Sequence, residues 1–265
     1  MTALVYATQG KGQVVLLLHG FCENNTLWQN YMKHLAKRYR VIALDLPGFG
    51  ASEDLLNHPT TLTQIAEQIN EFLQTLEIEK AIFIGHSLGG YVSLAFAEKY
   101  PEKVQGIGLF HSTALPDSDE KKKNRDNLIK IVNKKGTAEF MRNFVDDLFY
   151  DPRKPDLKDE MQLMEYMVTQ TAPKTIITLS EAMRDRPDRT QVLKKAKFPV
   201  LFIIGRDDKF ISYASYQSQI DLPAHSLVHI LPETGHIGML ERPQTCLKAI
   251  EAFLEICLVQ NEITM

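Results

Sequence analysis

The sequence predicts an α/β fold, a doubly wound and mostly parallel sheet with a helical cap inserted in it. Three observations predict it. Short apolar runs bounded by turn residues recur at Val14 to Leu18, Val41 to Leu44, Ala81 to Ile84, Ile107 to Phe110, Val200 to Ile204 and Leu227 to Leu231. Runs of this length without polar alternation read as strands buried on both faces, as in a parallel sheet. Segments with a helical apolar period lie between them, and strand-helix-strand alternation means a doubly wound sheet. From about Leu115 to Lys195 the alternation breaks, charges crowd together and helical stripes take over; it resumes at Phe198-Pro199-Val200-Leu201. The sheet therefore begins before the insertion and finishes after it, which divides the chain into a core of residues 1–114 and 196–265 and a helical cap of residues 115–195.

Taken in order, Met1-Thr2-Ala3-Leu4-Val5-Tyr6 enters strand-like sequence at once and lacks the basic-then-apolar order of a secretory leader, so the cytoplasm is the expected location. The run Val14 to Leu18 stops at His19, far short of the roughly 18 residues needed to span a bilayer. After Thr61 a stripe of Ile65, Ile69, Phe72, Leu73 and Leu76 predicts a helix, opened by a capping box of Thr61 with Gln64. Strand Ala81 to Ile84 is followed by a second helical stripe of Leu88, Val92, Ala95 and Phe96, which Pro101 stops. Within the insertion, Phe140, Phe144, Val145 and Leu148 repeat the helical period. The run Lys121-Lys122-Lys123, beside Asp117, Asp119 and Glu120, reads as a solvated helix face rather than a ligand-steering patch. Met141, Met161, Met164, Met167 and Met183 fall in the insertion with Phe140, Phe144, Phe149, Tyr150 and Tyr166. They either pack its helices or line an adaptable apolar pocket.

The 265 residues suffice for one sizeable core, and 44% apolar with 24% charged residues describes an ordinary globular chain. A formal charge of -3 supplies no field that favours nucleic acid or an anionic membrane. Cys22, Cys246 and Cys257 are odd in number and lack metal-ligand spacing, so reduced thiols are expected, with no zinc site and no disulfide framework.

Chemistry is concentrated at Gly85-His86-Ser87-Leu88-Gly89-Gly90, a G-x-S-x-G pattern between a strand and a helix. That context exposes a serine on a sharp, strained turn, and the glycines leave room for the turn to close. The alternative is a glycine-rich turn whose serine merely caps the helix. Five motifs in order resemble the α/β-hydrolase superfamily over nearly the whole chain, specifically its cap-bearing branch of small esterases, thioesterases and carbon-carbon hydrolases. They are Leu18-His19-Gly20-Phe21, the stretch Asp45 to Ser52, the Ser87 turn, Gly205-Arg206-Asp207-Asp208, and Gly235-His236 with Glu241-Arg242-Pro243. Ser212 stands where this branch often has proline, and the N-terminus is short by an edge strand.

A serine nucleophile needs a base, and His236, in a glycine-containing loop after the apolar run Leu227 to Leu231, occupies the position of the family's catalytic histidine. His19 and His86 flank turns and are expected to orient backbone. The base needs a carboxylate; spacing leaves Asp207 and Asp208 tied, and the resemblance favours Asp208. For the oxyanion the resemblance implies the backbone N–H groups of Leu88 and Phe21, with Cys22 as an alternative to Phe21. Asp45 to Ser52 lacks dinucleotide and Walker spacing and reads as a structural turn. Cys22 has no such turn around it to make it a nucleophile.

The function expected is a serine hydrolase working through an acyl-enzyme on small carboxylic esters or thioesters with an apolar acyl or aryl part. No cofactor or metal is called for, and the expected partner is a small ester-like molecule. Carbon-carbon bond hydrolysis or elimination on the same triad is the alternative, and a non-catalytic ligand-binding protein on the same fold is the reading from another class.

Overall fold

A computed structural model describes residues 4–264. Residues 1–3, part of the stretch read as lacking a leader, lie outside it, as does residue 265. Seven strands form one sheet among these residues: β1 Tyr6–Gln9, β2 Val14–Leu18, β3 Arg40–Leu44, β4 Ala81–His86, β5 Val104–Phe110, β6 Val200–Gly205 and β7 Ser226–Leu231. Their spatial order is β1-β3-β2-β4-β5-β6-β7. Only β1 runs antiparallel, paired with β3 at Tyr6 opposite Leu44, and the other pairings are parallel.

Burial follows position in the sheet. Every residue of the inner strands β2, β4 and β6 is buried, which is why these segments are continuous apolar runs. The edge strands are half exposed, with β7 leaving Val228 and Ile230 partly in water. Strand β1 escapes a search for apolar runs for the same reason: Tyr-Ala-Thr-Gln has one face to bury and little with which to bury it.

The flanking helices are α1 Gln29–Leu35, α2 Leu62–Thr75, α3 Leu88–Lys99, α10 Gly238–Glu241 and α11 Pro243–Thr264, with a short α9 Tyr213–Tyr216. Helix α2 starts at Thr61, whose hydroxyl accepts from the Gln64 N–H while the Gln64 side chain accepts from the Thr61 N–H; it buries Ile65, Ile69, Phe72 and Leu73. Helix α3 is buried nearly all round, as a helix between sheet and outer helices must be. No helix among the described residues is long and apolar enough to cross a membrane.

Between β5 and β6 the chain makes α4 Asp119–Lys135, α5 Thr137–Leu148, α6 Lys158–Thr169, α7 Pro173–Arg184 and α8 Thr190–Lys195. This segment packs α4 on α7 and α5 on α6. It is fastened to α2, α3 and the loops after β5 and β6 by polar contacts. Arg189 donates to Glu98 and to Thr63, the Arg189 N–H to the Ala114 carbonyl at 2.8 Å, and Lys209 pairs with Asp147 and Asp151. Of the five methionines, Met164, Met167 and Met183 are buried, and Tyr166 is 62% exposed.

The order 3-2-4 places the site. From β2 the chain leaves toward β3, and from β4 it leaves the other way, toward β5, so a crevice opens at the carboxyl ends of β2 and β4. Leu18 lies opposite Gly85 in register, which sets the loop after β2 beside the turn after β4.

Candidate active site

The turn after β4 is strained by construction. Ser87 has φ 46° and ψ −110°, a conformation that a non-glycine residue holds only where its surroundings fix it. They do so from two sides: the Ser87 N–H donates to the Phe110 carbonyl at 2.9 Å, and the Ser112 hydroxyl donates to the Ser87 carbonyl at 2.8 Å. The neighbouring glycines are needed sterically. A Cβ at Gly85 would lie 2.4 Å from the Gly89 carbonyl carbon, and one at Gly89 would lie 2.4 Å from the Leu18 oxygen. Although Ser87 sits at the N-cap position of α3, its side chain does not cap the helix. Its Oγ lies 2.9 Å from His236 Nε2 instead.

His236 Nδ1 lies 2.7 Å from Asp208 Oδ2, and the other carboxylate oxygen accepts from the N–H groups of Phe210 (2.7 Å) and Ile211 (3.0 Å). Burial pushes the Asp208 carboxyl up, but the charge and hydrogen bond of His236 beside it, with those backbone donors, hold it below its ordinary 3.8. Asp208 is thus an ionised acceptor for the imidazole N–H. Asp207 is exposed and does not meet His236; its N–H donates to the Thr234 carbonyl. The four loops after β2, β4, β6 and β7 therefore bring Phe21, Ser87, Asp208 and His236 to one end of the sheet.

Among the described residues, no acceptor faces the N–H of Phe21, and Leu88, as first residue of α3, has no helical carbonyl behind it. Both are free to donate. The Cys22 thiol is buried, and burial pushes it well above the usual thiol range, so it stays protonated.

The sequence left unassigned a charged pair behind this constellation. Glu23 is buried at 2% exposure and accepts from the Gly20 N–H. His86 Nδ1 lies 2.9 Å from the same carboxylate, and His86 Nε2 lies 2.9 Å from the His236 carbonyl oxygen. Both partners of the ring are pure acceptors, so both nitrogens carry protons and His86 is an imidazolium. Burial alone would lower it, but Glu23 raises it above its ordinary value. His86 thus orients backbone, as its place in the turn suggested, but as a buried cation spanning two loops. Neither member carries a local signal, because they lie 63 positions apart.

Two further histidines hold backbone. His19 donates through Nδ1 to the Gly20 carbonyl and accepts through Nε2 from the Leu46 N–H. His111, at φ 45°, faces the N–H groups of Gly205 (3.0 Å) and Gly238 (3.1 Å), and burial keeps it neutral. With one ring nitrogen protonated it accepts from one of the two, and its Nδ1 lies 3.6 Å from Asp208 Oδ2. Glu241 accepts from the N–H groups of Gly235 and Tyr150, and the His236 N–H donates to the Leu148 carbonyl at 2.7 Å. The last turn of α5 thus helps to seat the imidazole. Asp45 accepts from the N–H groups of Asn25 and Ala51, the behaviour of a structural turn.

Ser87 and His236 open onto a cavity of about 770 Å³. Its aromatic wall is Phe21, Phe140, Phe144 and Phe210, with ring centroids 5.7 to 6.3 Å apart from Phe21 to Phe144, Phe21 to Phe140 and Phe144 to Phe210. Of the methionines in the helical segment only Met183 reaches it. The lining from α4 is mixed, with Lys121, Asn124, Arg125 and Asn127 beside Leu128 and Ile131. Lys121, read from sequence as part of a solvated face, lies there half-buried; Lys122 is half-buried too, and Lys123 is exposed. The sequence reading fails because neighbouring charges in a helix point in different directions, and the position of Lys121 on α4 turns it toward the chamber.

Comparison with known proteins agrees with this architecture. Residues 13–174, more than half the chain, match the alpha/beta hydrolase fold family. The chain is 28% identical over 94% of its length, and 86% of the relative's, to a 2-hydroxy-6-oxo-6-(2'-aminophenyl)hexa-2,4-dienoic acid hydrolase of Metapseudomonas resinovorans. It is 25% identical to 3-oxoadipate enol-lactonase 2 of Acinetobacter baylyi, over 96% of this chain and 93% of that one. A thermophilic esterase from Thermogutta terrifontis superposes with TM-score 0.90 at 27% identity, over 96% of this chain and 93% of that chain. With a mostly parallel seven-stranded sheet, its loops meeting at one crevice and these relatives in sequence and structure, the chain belongs to the α/β-hydrolase fold family.

Proposed function

We propose that the protein is a serine hydrolase that cleaves small carboxylic esters or thioesters through an acyl-Ser87 intermediate. The observation that carries this reading is the hydrogen-bonded line from Ser87 Oγ through His236 to Asp208, 2.9 and 2.7 Å, at the mouth of a cavity. In the proposed reaction Ser87 Oγ attacks the carbonyl carbon while His236 Nε2 takes its proton. The tetrahedral oxyanion is met by the N–H groups of Phe21 and Leu88, each worth about 3 kcal/mol in such a role. His236 then gives the proton to the leaving oxygen or sulfur, and water repeats the sequence on the acyl-enzyme. Residues 115–195 act as a cap that supplies the chamber wall and selects the substrate.

Cleavage of a carbon-carbon bond in an activated ketone is the second reading, favoured by the relative named as a dienoic acid hydrolase. Steady-state kinetics on p-nitrophenyl acetate and butyrate, beside a 2-hydroxy-6-oxodienoate, test both. The ester reading expects ester turnover in the wild type and a loss of about 10³-fold or more in Ser87→Ala. A folded wild type that ignores both esters and cleaves the dienoate overturns it in favour of the second.

A further inference from the structure

We propose that the chamber holds an anion subsite on α4, formed by Lys121 and Arg125, and that the natural substrate carries a carboxylate besides the bond to be cleaved. The proposal rests on the reading of Ser87 as nucleophile only for its turnover test.

Helix α4 presents Lys121, Asn124, Arg125, Leu128 and Ile131 to the cavity, the spacing of a single helix face. Lys121 is half-buried there, and among the described residues its ammonium makes no hydrogen bond and has no carboxylate within ion-pair distance. Burial lowers its proton affinity, and the charges of Asp117, Arg186, Arg125 and Asp208 reach it, so it sits inside the catalytic chamber electrostatically as well as sterically.

The surrounding charges do not neutralise it. Asp117 is shared between two guanidinium groups, Arg125 through Nε and Arg186 through Nη1. Arg186 is buried, stacked 4.1 Å from the Tyr91 ring centroid and donating through Nη1 also to the Met183 carbonyl. Arg125 has its terminal nitrogens left over, with a side chain 20% exposed. The other acidic groups of the cavity are already held: Glu23 by His86, Asp147 by Lys209, and Glu139 by Lys135. Glu120 lies exposed at the rim. Lys121, Arg125 and Arg186 against the shared Asp117 and the rim Glu120 leave about one positive charge, which suits a single carboxylate better than a phosphate dianion.

The Phe210 ring lies 4.9 Å from that of His236, and Phe144, Phe21 and Phe140 continue the aromatic wall from it. The chamber thus offers an aromatic wall and a half-buried, unpaired cation on α4, matched by a short apolar chain or aryl group ending in a carboxylate. A neutral ester leaves the half-buried Lys121 without a partner, while a carboxylate pairs it.

The test compares p-nitrophenyl hemiesters of C4 to C8 dicarboxylic acids with neutral acyl esters of equal length, and 4-acetoxybenzoate with its methyl ester. These place the charge on the acyl and the leaving-group side. Wild type is expected to prefer the charged member of at least one series by tenfold or more in kcat/KM. In Lys121→Met that ratio falls at least tenfold, Lys121→Arg restores it, and Lys121→Gln serves if the methionine variant does not fold. Calorimetric binding of the same hemiesters to Ser87→Ala reads the subsite without turnover and should weaken tenfold when Lys121→Met is added. Charged binding through Lys121 without ester turnover leaves the subsite standing and removes the hydrolase reading. Equal handling of charged and neutral esters by wild type, or a Lys121→Met ratio unchanged while both rates fall, overturns the subsite.

Discussion

Replacing Glu23 by alanine removes two things at once: the counter-ion of a buried imidazolium and the acceptor of the Gly20 N–H. Breaking a fully buried pair from one side costs about 3–5 kcal/mol, because the remaining charge must be neutralised in place. Taking about 4 kcal/mol, and roughly 3 °C per kcal/mol for a chain of this size, Glu23→Ala should melt about 12 °C below wild type. Glu23→Gln is different in kind. Gly20 N–H and His86 Nδ1 both meet Oε2, so a glutamine carbonyl oxygen set there can accept from both, while a neutral His86 with its proton on Nδ1 gives up the bond from Nε2 to the His236 carbonyl. The cost is then about 1–2 kcal/mol, or roughly 3–6 °C.

The pH dependence of this gap has a fixed sign. Glu23 is held below its ordinary 4.5: burial opposes this but His86 outweighs it, so its share of stability is present above that value and lost as pH falls through the folded one. His86 is raised above its ordinary 6.5 by Glu23 against the pull of burial. Its share is full below 6.5 and lost as pH rises through the folded value. The gap between wild type and Glu23→Ala should therefore be widest between about pH 4.5 and 6.5 and narrow above it. Thermal melts of the three proteins from pH 4.5 to 9 read this directly. A Glu23→Ala protein melting within 2 °C of wild type at pH 6, or a gap that grows with pH, would refute a charged Glu23–His86 pair.

Other expected outcomes follow from the same geometry. Asp208→Asn keeps the acceptor for Phe210 and Ile211 but turns an amide N–H toward His236, reversing the tautomer so that Nε2–H faces Ser87; kcat should fall about 10⁴-fold with folding intact, checked by steady-state kinetics and circular dichroism. Gly89→Ala brings a Cβ within 2.4 Å of a backbone oxygen of β2, so it should cost roughly 3 kcal/mol in urea unfolding and abolish ester turnover. Cys22, Cys246 and Cys257 are buried, with the last two pushed up to about 12, so the native protein should release no thionitrobenzoate from Ellman's reagent at pH 8 and the unfolded chain three equivalents.

Much of the sheet was legible because its inner strands are buried on both faces and must be apolar throughout, as Val-Val-Leu-Leu-Leu of β2 shows. The capping box of α2 and the glycines of the Ser87 turn were legible because they are local. What was not legible is what folding brings together. Strand β1 has a single face to bury; Glu23 meets His86 only because β2 and β4 pair in register; His111 meets Gly205 and Gly238 across three strands. Helix position decides the fate of Lys121: the same three lysines give one residue lining the chamber and one exposed. Of the two readings of the methionines in the helical segment, packing holds for most: Met164 and Met167 are buried away from the cavity, and only Met183 reaches it.

Ser87 as an activated nucleophile is tested most directly by covalent labelling. Incubating the folded protein with a fluorophosphonate and mapping the modified peptide by mass spectrometry should give one adduct per chain, on Ser87, lost in Ser87→Ala and slowed strongly in His236→Ala. An unlabelled but folded wild type, or an adduct on another residue with Ser87 intact, would contradict the assignment.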